Sequence, residues 1–264
     1  MKKWALVTGA SSGIGAELAR VYSEEGYNVV LVARRKQKLA KLAKELQGNG
    51  SEVHVIAMDL SAKEAARELF DAVQQLDIQI DALVNNAGFT YLGAFLDQDL
   101  DNAHEMMQLN LVTLVSLTYL FANPMVDAGK GHVLNLASTT GFQPTPGYTL
   151  YSAGKALVRS FSEGLTEELK GTGVSVTVLC PGPTDSEMID DIKTKSSVGP
   201  PEFMIADSRS VAKAGFDAAT SGEAVCVPGL INKVSTIIAG QAPRWIVRSA
   251  FGVMGRKMIN GIVK

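Results

Sequence analysis

The stretch Thr8-Gly9-Ala10-Ser11-Ser12-Gly13-Ile14-Gly15 closes the apolar run Trp4–Thr8 and opens into Ala16-Glu17-Leu18, the start of a helix-period pattern over residues 14–25. Strand, glycine-rich turn and helix in that order, with the spacing G-x-x-x-G-x-G, put a tight backbone bend at the end of a strand. Such a bend lets main-chain N–H groups and a helix N-terminus approach a pyrophosphate. Gly9, Ser11, Ser12, Gly13, Ile14 and Gly15 are the candidate phosphate cradle. The plainer alternative is a strand-to-helix connection that binds nothing.

Outward from this turn, strand-length apolar runs alternate with helix-period segments. The strand candidates are Trp4–Thr8, Asn28–Ala33, Val53–Met58, Ala82–Asn85, His132–Ala137, Val174–Cys180 and Ala224–Val227. Most are continuous Val/Ile/Leu runs, as expected where helices cover both faces. Helical patterns lie near 14–25, 36–47, 62–76, 99–127, 151–170 and 208–220. The alternation predicts a single α/β domain, a Rossmann-type doubly wound parallel sheet of about seven strands with helices on both faces. Residues 1–228 form that domain and residues 229–264 a C-terminal extension. Residues 181–207, with Pro181-Gly182-Pro183 and Gly199-Pro200-Pro201, read as a long loop carrying at most a short helix.

Composition narrows the function classes. The 264 residues carry 25 basic and 27 acidic side chains. A near-neutral chain lacks the basic field that draws nucleic acid. No continuous apolar run approaches the roughly 18 residues of a membrane span, so no spanning helix is expected. Cys180 and Cys226 each sit among apolar residues and read as buried thiols of a reducing, cytoplasmic compartment rather than as a disulfide or zinc site.

After the second strand, a dinucleotide fingerprint expects an acid about 20 residues beyond the turn, on the ribose 2′-hydroxyl. Here the run ends Ala33-Arg34-Arg35. An arginine there suits a 2′-phosphate, which favours NADP(H) with NAD(H) as the alternative; Arg34 carries the argument and Arg35 supports it. Downstream, Tyr151 and Lys155 stand four apart on a helical pattern, so their side chains share a face. An ammonium beside a phenol favours the phenolate, lowering the tyrosine pKa toward a useful range. Alone, such a pair is ordinarily a surface pair. Ser138, at the carboxyl edge of a buried strand, adds a hydroxyl able to hold a carbonyl oxygen beside Tyr151.

Together the glycine-rich turn, Asn85-Asn86-Ala87-Gly88, Asn110, Ser138, Tyr151, Lys155 and Pro181-Gly182 resemble the short-chain dehydrogenase/reductase family, over roughly residues 3 to 228. The resemblance implies that Tyr151 is the general acid/base and Ser138 orients the substrate oxygen. It implies that Lys155 lowers the tyrosine pKa and bonds the nicotinamide ribose, and that Asn110 holds a water linking Lys155 to solvent. Asn86, Ala87 and Gly88 would pass the adenosine ribose, and Asp59, with Leu60, the adenine. Pro181, Gly182 and either Thr184 or Ser186 would meet the nicotinamide carboxamide. For Asn85 and Asn86 a structural role competes, and Asp185 and Glu187 read as N-terminal charge on a short helix.

Phe89, Tyr91, Leu92, Phe95, Phe142, Tyr148, Met188, Ile189, Phe203 and Met204 fall on segments that would line the substrate side. They suggest an adaptable apolar pocket for a lipophilic ketone, aldehyde or secondary alcohol. From residue 224 onward there are six basic and no acidic residues. Val247, Phe251, Met254, Met258 and Ile262 recur there at helical spacing, with Trp245, Ile246 and Val253 off the stripe. That width favours a lid or a subunit interface over a helix lying on a membrane. The apolar helices around 106–121 and from 151 suggest a homodimer or homotetramer.

Overall fold

A computed structural model describes residues 2–195 and 200–262. Seven strands, β1 (Trp4–Thr8), β2 (Asn28–Ala33), β3 (Val53–Ala57), β4 (Ala82–Asn85), β5 (Gly131–Leu136), β6 (Val174–Leu179) and β7 (Val225–Cys226), form one sheet in the order β3-β2-β1-β4-β5-β6-β7. Every neighbouring pair is parallel. The helices are α1 (Gly13–Glu24), α2 (Lys36–Gly48), α3 (Ala65–Gln74), α4 (Leu100–Met107), α5 (Leu114–Asp127), α6 (Thr149–Glu168), α7 (Glu187–Lys195), α8 (Ser208–Ser221), α9 (Leu230–Gln241) and α10 (Arg244–Asn260).

Alternation along the strands feeds two helical layers. In β1, Ala5 and Val7 join Leu18, Tyr22, Leu39, Leu46 and Phe216 of α1, α2 and α8. Trp4 and Leu6 face the other way, onto Leu69, Val73, Leu117 and Phe121 of α3 and α5. Each fully buried leucine contributes roughly 1.5–3 kcal/mol. Within the first layer His132 pairs with the Tyr22 hydroxyl at 2.8 Å, and burial lowers its pKa from 6.5 to about 4. Cys180 and Cys226 are buried free thiols.

Two features depart from the expectation. Residues Leu100–Asp127 form 28 helical residues containing an 18-residue stretch of mean hydropathy 1.4, long and apolar enough to span a bilayer by composition alone. The sequence reading looked for an unbroken apolar run and so passed over this averaged one; the segment lays Leu117 and Phe121 against the sheet. The extension folds as two helices, of which α9 had no counterpart in the reading. The segment 181–207 holds α7 and a short 3-10 turn, Glu202–Met204, and Thr184 bridges to Ala206. Gly199 lies outside the described residues.

Candidate active site

The strand order reverses between β1 and β4, opening a crevice above their carboxyl ends. Thr8 ties the two edges together. Its hydroxyl donates to the Val84 carbonyl at 3.1 Å and accepts from the N–H groups of Asn86 and Ala87, both at 3.0 Å. The Asn86 amide donates back to the carbonyls of Thr8 at 2.8 Å and Gly9 at 3.3 Å. Gly9 has φ +67°, and a Cβ there would stand 2.6 Å from that amide; at Gly15 it would strike the same amide and the Gly9 carbonyl. Neither position admits a side chain. Ser12 caps α1 without a side-chain bond and no acid stands in the first turn, so the leading N–H groups stay free for an anion. Ser186, rather than Thr184, lies against Gly13 of this turn. The Thr184 hydroxyl is turned to the Gly182 carbonyl at 3.0 Å.

Of the two arginines after β2, Arg35 lies across the turn. Its guanidinium donates to Ser11 at 3.0 and 2.8 Å and to Ser12 at 2.7 Å. Arg34 instead approaches Asp59 at 3.7 Å and Glu105 at 4.0 Å. Successive residues leaving a strand project to opposite sides, so only one can face the cradle. Asp59 also accepts from the Ser61 N–H at 3.0 Å and hydroxyl at 2.7 Å, and the Leu60 carbonyl accepts from Thr113 at 2.8 Å. Glu187 was read as helix-end charge, yet it accepts from Ser12 at 3.1 Å, from Arg35 at 2.5 Å and from Lys38. The Lys38 hydrogen bond, with Arg35 and Ser12 behind it and partial burial opposing, holds its carboxyl down at about 2. It clasps α7 to α2 and to the glycine-rich turn.

On the other bank, Ser138 caps the 3-10 turn Thr139–Phe142 and accepts from the Thr140 N–H at 3.2 Å. That turn is pressed on α6: a Cβ on Gly141 would lie 2.8 Å from the Lys155 carbonyl. The packing brings the Ser138 hydroxyl near enough to the Tyr151 phenol to favour its ionised form, while that hydroxyl donates to the Pro181 carbonyl at 3.4 Å. Lys155 Nζ stands 5.5 Å from the Tyr151 ring centroid and donates to the Leu136 carbonyl at 2.7 Å. Burial governs both groups. It pushes the phenol up to about 12, with the nearby Ser138 hydroxyl pulling the other way, and lowers the ammonium to about 8. The ammonium addresses the ring face and a carbonyl, and desolvation of the phenolate dominates the phenol's pKa in this arrangement.

Asn110 lies in a π-helical turn, Gln108–Thr113, that joins α4 to α5; such turns recur at functional positions. Its amide accepts from the Phe89 N–H at 3.1 Å and donates to the Phe89 carbonyl at 2.8 Å, against Gly88. The side chain therefore clamps the backbone leaving β4. Its neighbour Leu111 packs on Gly154, one residue before Lys155. Asn85 is tied into the core: its amide donates to Thr118 at 3.0 Å and Asn135 at 2.9 Å.

A family model described as short chain dehydrogenase matches residues 3–197. The chain belongs to the short-chain dehydrogenase family. An uncharacterized oxidoreductase of Staphylococcus saprophyticus is 39% identical over 191 residues, 72% of this chain and 81% of that protein. A 7β-hydroxysteroid dehydrogenase structure superposes with TM-score 0.85 at 25% identity, covering 95% of this chain and 96% of that one. A short-chain dehydrogenase of Sphingobium yanoikuyae, solved with NADPH, gives TM-score 0.79 at 29% identity, over 92% and 97% of the two chains. Membership makes the chain an NAD(P)-dependent oxidoreductase.

In this short-chain dehydrogenase the apolar residues expected on the substrate side lie in different places. Tyr148, Ile189 and Ile192 are buried together, with Leu92, Tyr151, Met188, Ile205 and Met258 packed on them. Phe89 and Tyr91 meet edge to face at 5.3 Å. Phe142 lies elsewhere, in the cluster around Val158 and Val178, with the Arg159 guanidinium 4.3 Å above its ring. Phe95 and Phe203 are 50% and 79% exposed in short 3-10 turns that carry them outward. The extension supplies what was missed. Met258 enters the tyrosine cluster, Gly255 packs on Pro146 with no room for a Cβ of its own, and Ile259 and Leu92 flank Gly147. Asn232 of α9 seats on Gly182. One face of α10 thus packs on Pro146, Gly147 and the Tyr148 cluster.

Proposed function

We propose that the chain is an NADPH-dependent reductase of lipophilic ketones or aldehydes, acting reversibly, with Tyr151 as general acid/base. The observation that carries this reading is the Tyr151 phenol itself, beside the Ser138 hydroxyl on one side and packed with Met258 on the buried Tyr148 and Ile189 on the other. The cradle at Gly9 and Gly15, the uncapped start of α1 and the cations at Arg35, Lys38 and Arg34 fit a phosphorylated dinucleotide. When bound, the nicotinamide supplies hydride to the carbonyl carbon. Ser138 donates to the carbonyl oxygen, Tyr151 gives that oxygen its proton, and Lys155 in its charged form holds the nicotinamide ribose. Asn110 keeps the Phe89 backbone against the cofactor side and takes up a water that returns a proton through Lys155. Asp59, Leu60, Asn86, Ala87 and Gly88 border the adenosine, and Pro181, Gly182, Thr184 and Ser186 the carboxamide.

The apolar cluster supports a lipophilic substrate, as does the hydroxysteroid dehydrogenase likeness. A second reading, an NAD-linked alcohol or hydroxysteroid-type dehydrogenase, draws on Glu187, which already neutralises Arg35 and Lys38. Residues 1–228 serve as the cofactor and catalytic body and 229–264 as its cover. The buried thiols support a reducing, cytoplasmic setting. Exposed Val112, Tyr119 and Leu157 on the α5 and α6 side support a homo-oligomer. The test is NADPH or NADH oxidation with steroids, bulky aromatic ketones and short polar ketones. Faster turnover of the hydrophobic ketones with NADPH is expected, and equal rates with short polar ketones would reject the substrate reading.

A further inference from the structure

The outer face of the extension has no counterpart in the catalytic account. α9 packs inward only through Asn232, Thr236 and Ala239. On its opposite side Leu230, Ile231, Val234, Ile237 and Ile238 are 78%, 59%, 47%, 52% and 60% exposed. The spacing i, i+1, i+4, i+7, i+8 makes these five one continuous aliphatic stripe. α10 repeats the pattern with charge. Its inner face, Val247, Phe251, Gly255, Met258 and Ile259, lies against the body. Trp245, Ile246 and Val253, which stood off the expected stripe, are 66%, 42% and 51% exposed. The apolar width that counted against a surface helix is therefore two faces, one closing the pocket and one facing out.

Charge decides what fits the outer face. Lys233, Arg244, Arg248, Arg256 and Lys257 are exposed, and none forms an ion pair among the described residues. Lys264, the sixth basic residue of the segment, lies outside them. With 25 basic and 27 acidic residues in the chain and no acid after Glu223, residues 1–223 hold 25 − 6 = 19 basic and 27 acidic side chains. Two copies meeting through this face about a two-fold axis would set cations against cations with no acid in either segment. An apolar face with an exposed tryptophan and unpaired Lys/Arg instead matches an anionic lipid surface: side chains enter the acyl boundary and cations stay with the headgroups.

We propose that α9 and α10 dock this protein on the surface of an anionic bilayer, with α10 between the membrane and the catalytic pocket. A lipophilic substrate arriving from the lipid side would rest on the function proposed above; the docking does not, and its test needs no turnover. The full chain is mixed with vesicles of phosphatidylcholine alone or with added phosphatidylglycerol, and followed by co-sedimentation and tryptophan emission. Of the two tryptophans, Trp4 is 8% exposed in the core and Trp245 is 66% exposed. Emission is therefore expected to shift blue as Trp245 enters lipid. Binding should need the anionic lipid, fall with salt, and weaken about fivefold for each of Arg256→Gln and Lys257→Gln, which share the outer side of α10 with Trp245, Ile246 and Val253. Ile237→Asp with Ile238→Asp, both on a solvent-facing stripe, should abolish it while leaving cofactor binding intact. No binding, or binding indifferent to lipid charge, overturns the proposal. So does a size-exclusion shift from oligomer to monomer in the Ile237/Ile238 variant without vesicle binding by the parent, which would make the face an interface between copies.

Discussion

Arg35 holds the Ser11 and Ser12 hydroxyls and Glu187 at once, so an incoming 2′-phosphate must compete with that carboxylate. Glu187→Gln should therefore tighten NADPH binding by up to about tenfold and leave NADH unchanged, as read by cofactor fluorescence titration. Arg35→Asp should lose the NADPH preference more completely than Arg34→Asp, because Arg34 is turned to Asp59 and Glu105. Lys155 supplies a pH limb. Its ammonium is lowered to about 8 by burial, so it is charged below that pH and neutral above. kcat/KM for the cofactor should fall as pH rises through about 8, and Lys155→Arg should remove the limb because a guanidinium stays charged. At this scale Tyr151, Lys155 and Ser138 were legible as residue types at a spacing. That Arg35 contacts Ser11 and Ser12, and that Thr8, Lys38 and Glu187 join the hydrogen bonds around the glycine-rich turn, was not. Those roles arise from side-chain direction and from contacts across 149 to 152 residues of sequence.

At the scale of elements, β1, β2 and β4 match their apolar runs residue for residue, because a strand buried on both faces needs uninterrupted aliphatic side chains. α9 was illegible for the opposite reason: its aliphatic side chains face solvent, so the rule linking apolar periodicity to burial points the wrong way. β5 carries a measurable consequence. His132 is buried beside Tyr22, with a folded pKa of about 4 against 6.5 unfolded. Above 6.5 both states are neutral. As pH falls from there toward 4 only the unfolded chain takes up the proton, and stability declines by up to about 3 kcal/mol. Thermal unfolding between pH 7 and 4 should show this slope, and His132→Gln should flatten it. A slope unchanged in that variant would place the acid sensitivity elsewhere.

For the whole molecule, the body and its cover make separable claims. Gly255 has no room for a side chain against Pro146, so Gly255→Leu should lift α10, raising KM for a hydrophobic ketone more than KM for the cofactor. The order of strands and the crevice at β1 and β4 follow from alternating β and α segments, which is why the fold was readable from one sequence. Where the extension lies was not, since nothing local in residues 229–264 names Pro146 or Gly147 as its seat. The account as a whole turns on the phenol of Tyr151. The most direct measurement is Tyr151→Phe, comparing kcat for NADPH-dependent ketone reduction with the Kd for NADPH. A loss in kcat of ~10²–10⁴-fold with cofactor affinity retained is predicted; a variant that reduces the ketone at the parental rate would contradict it.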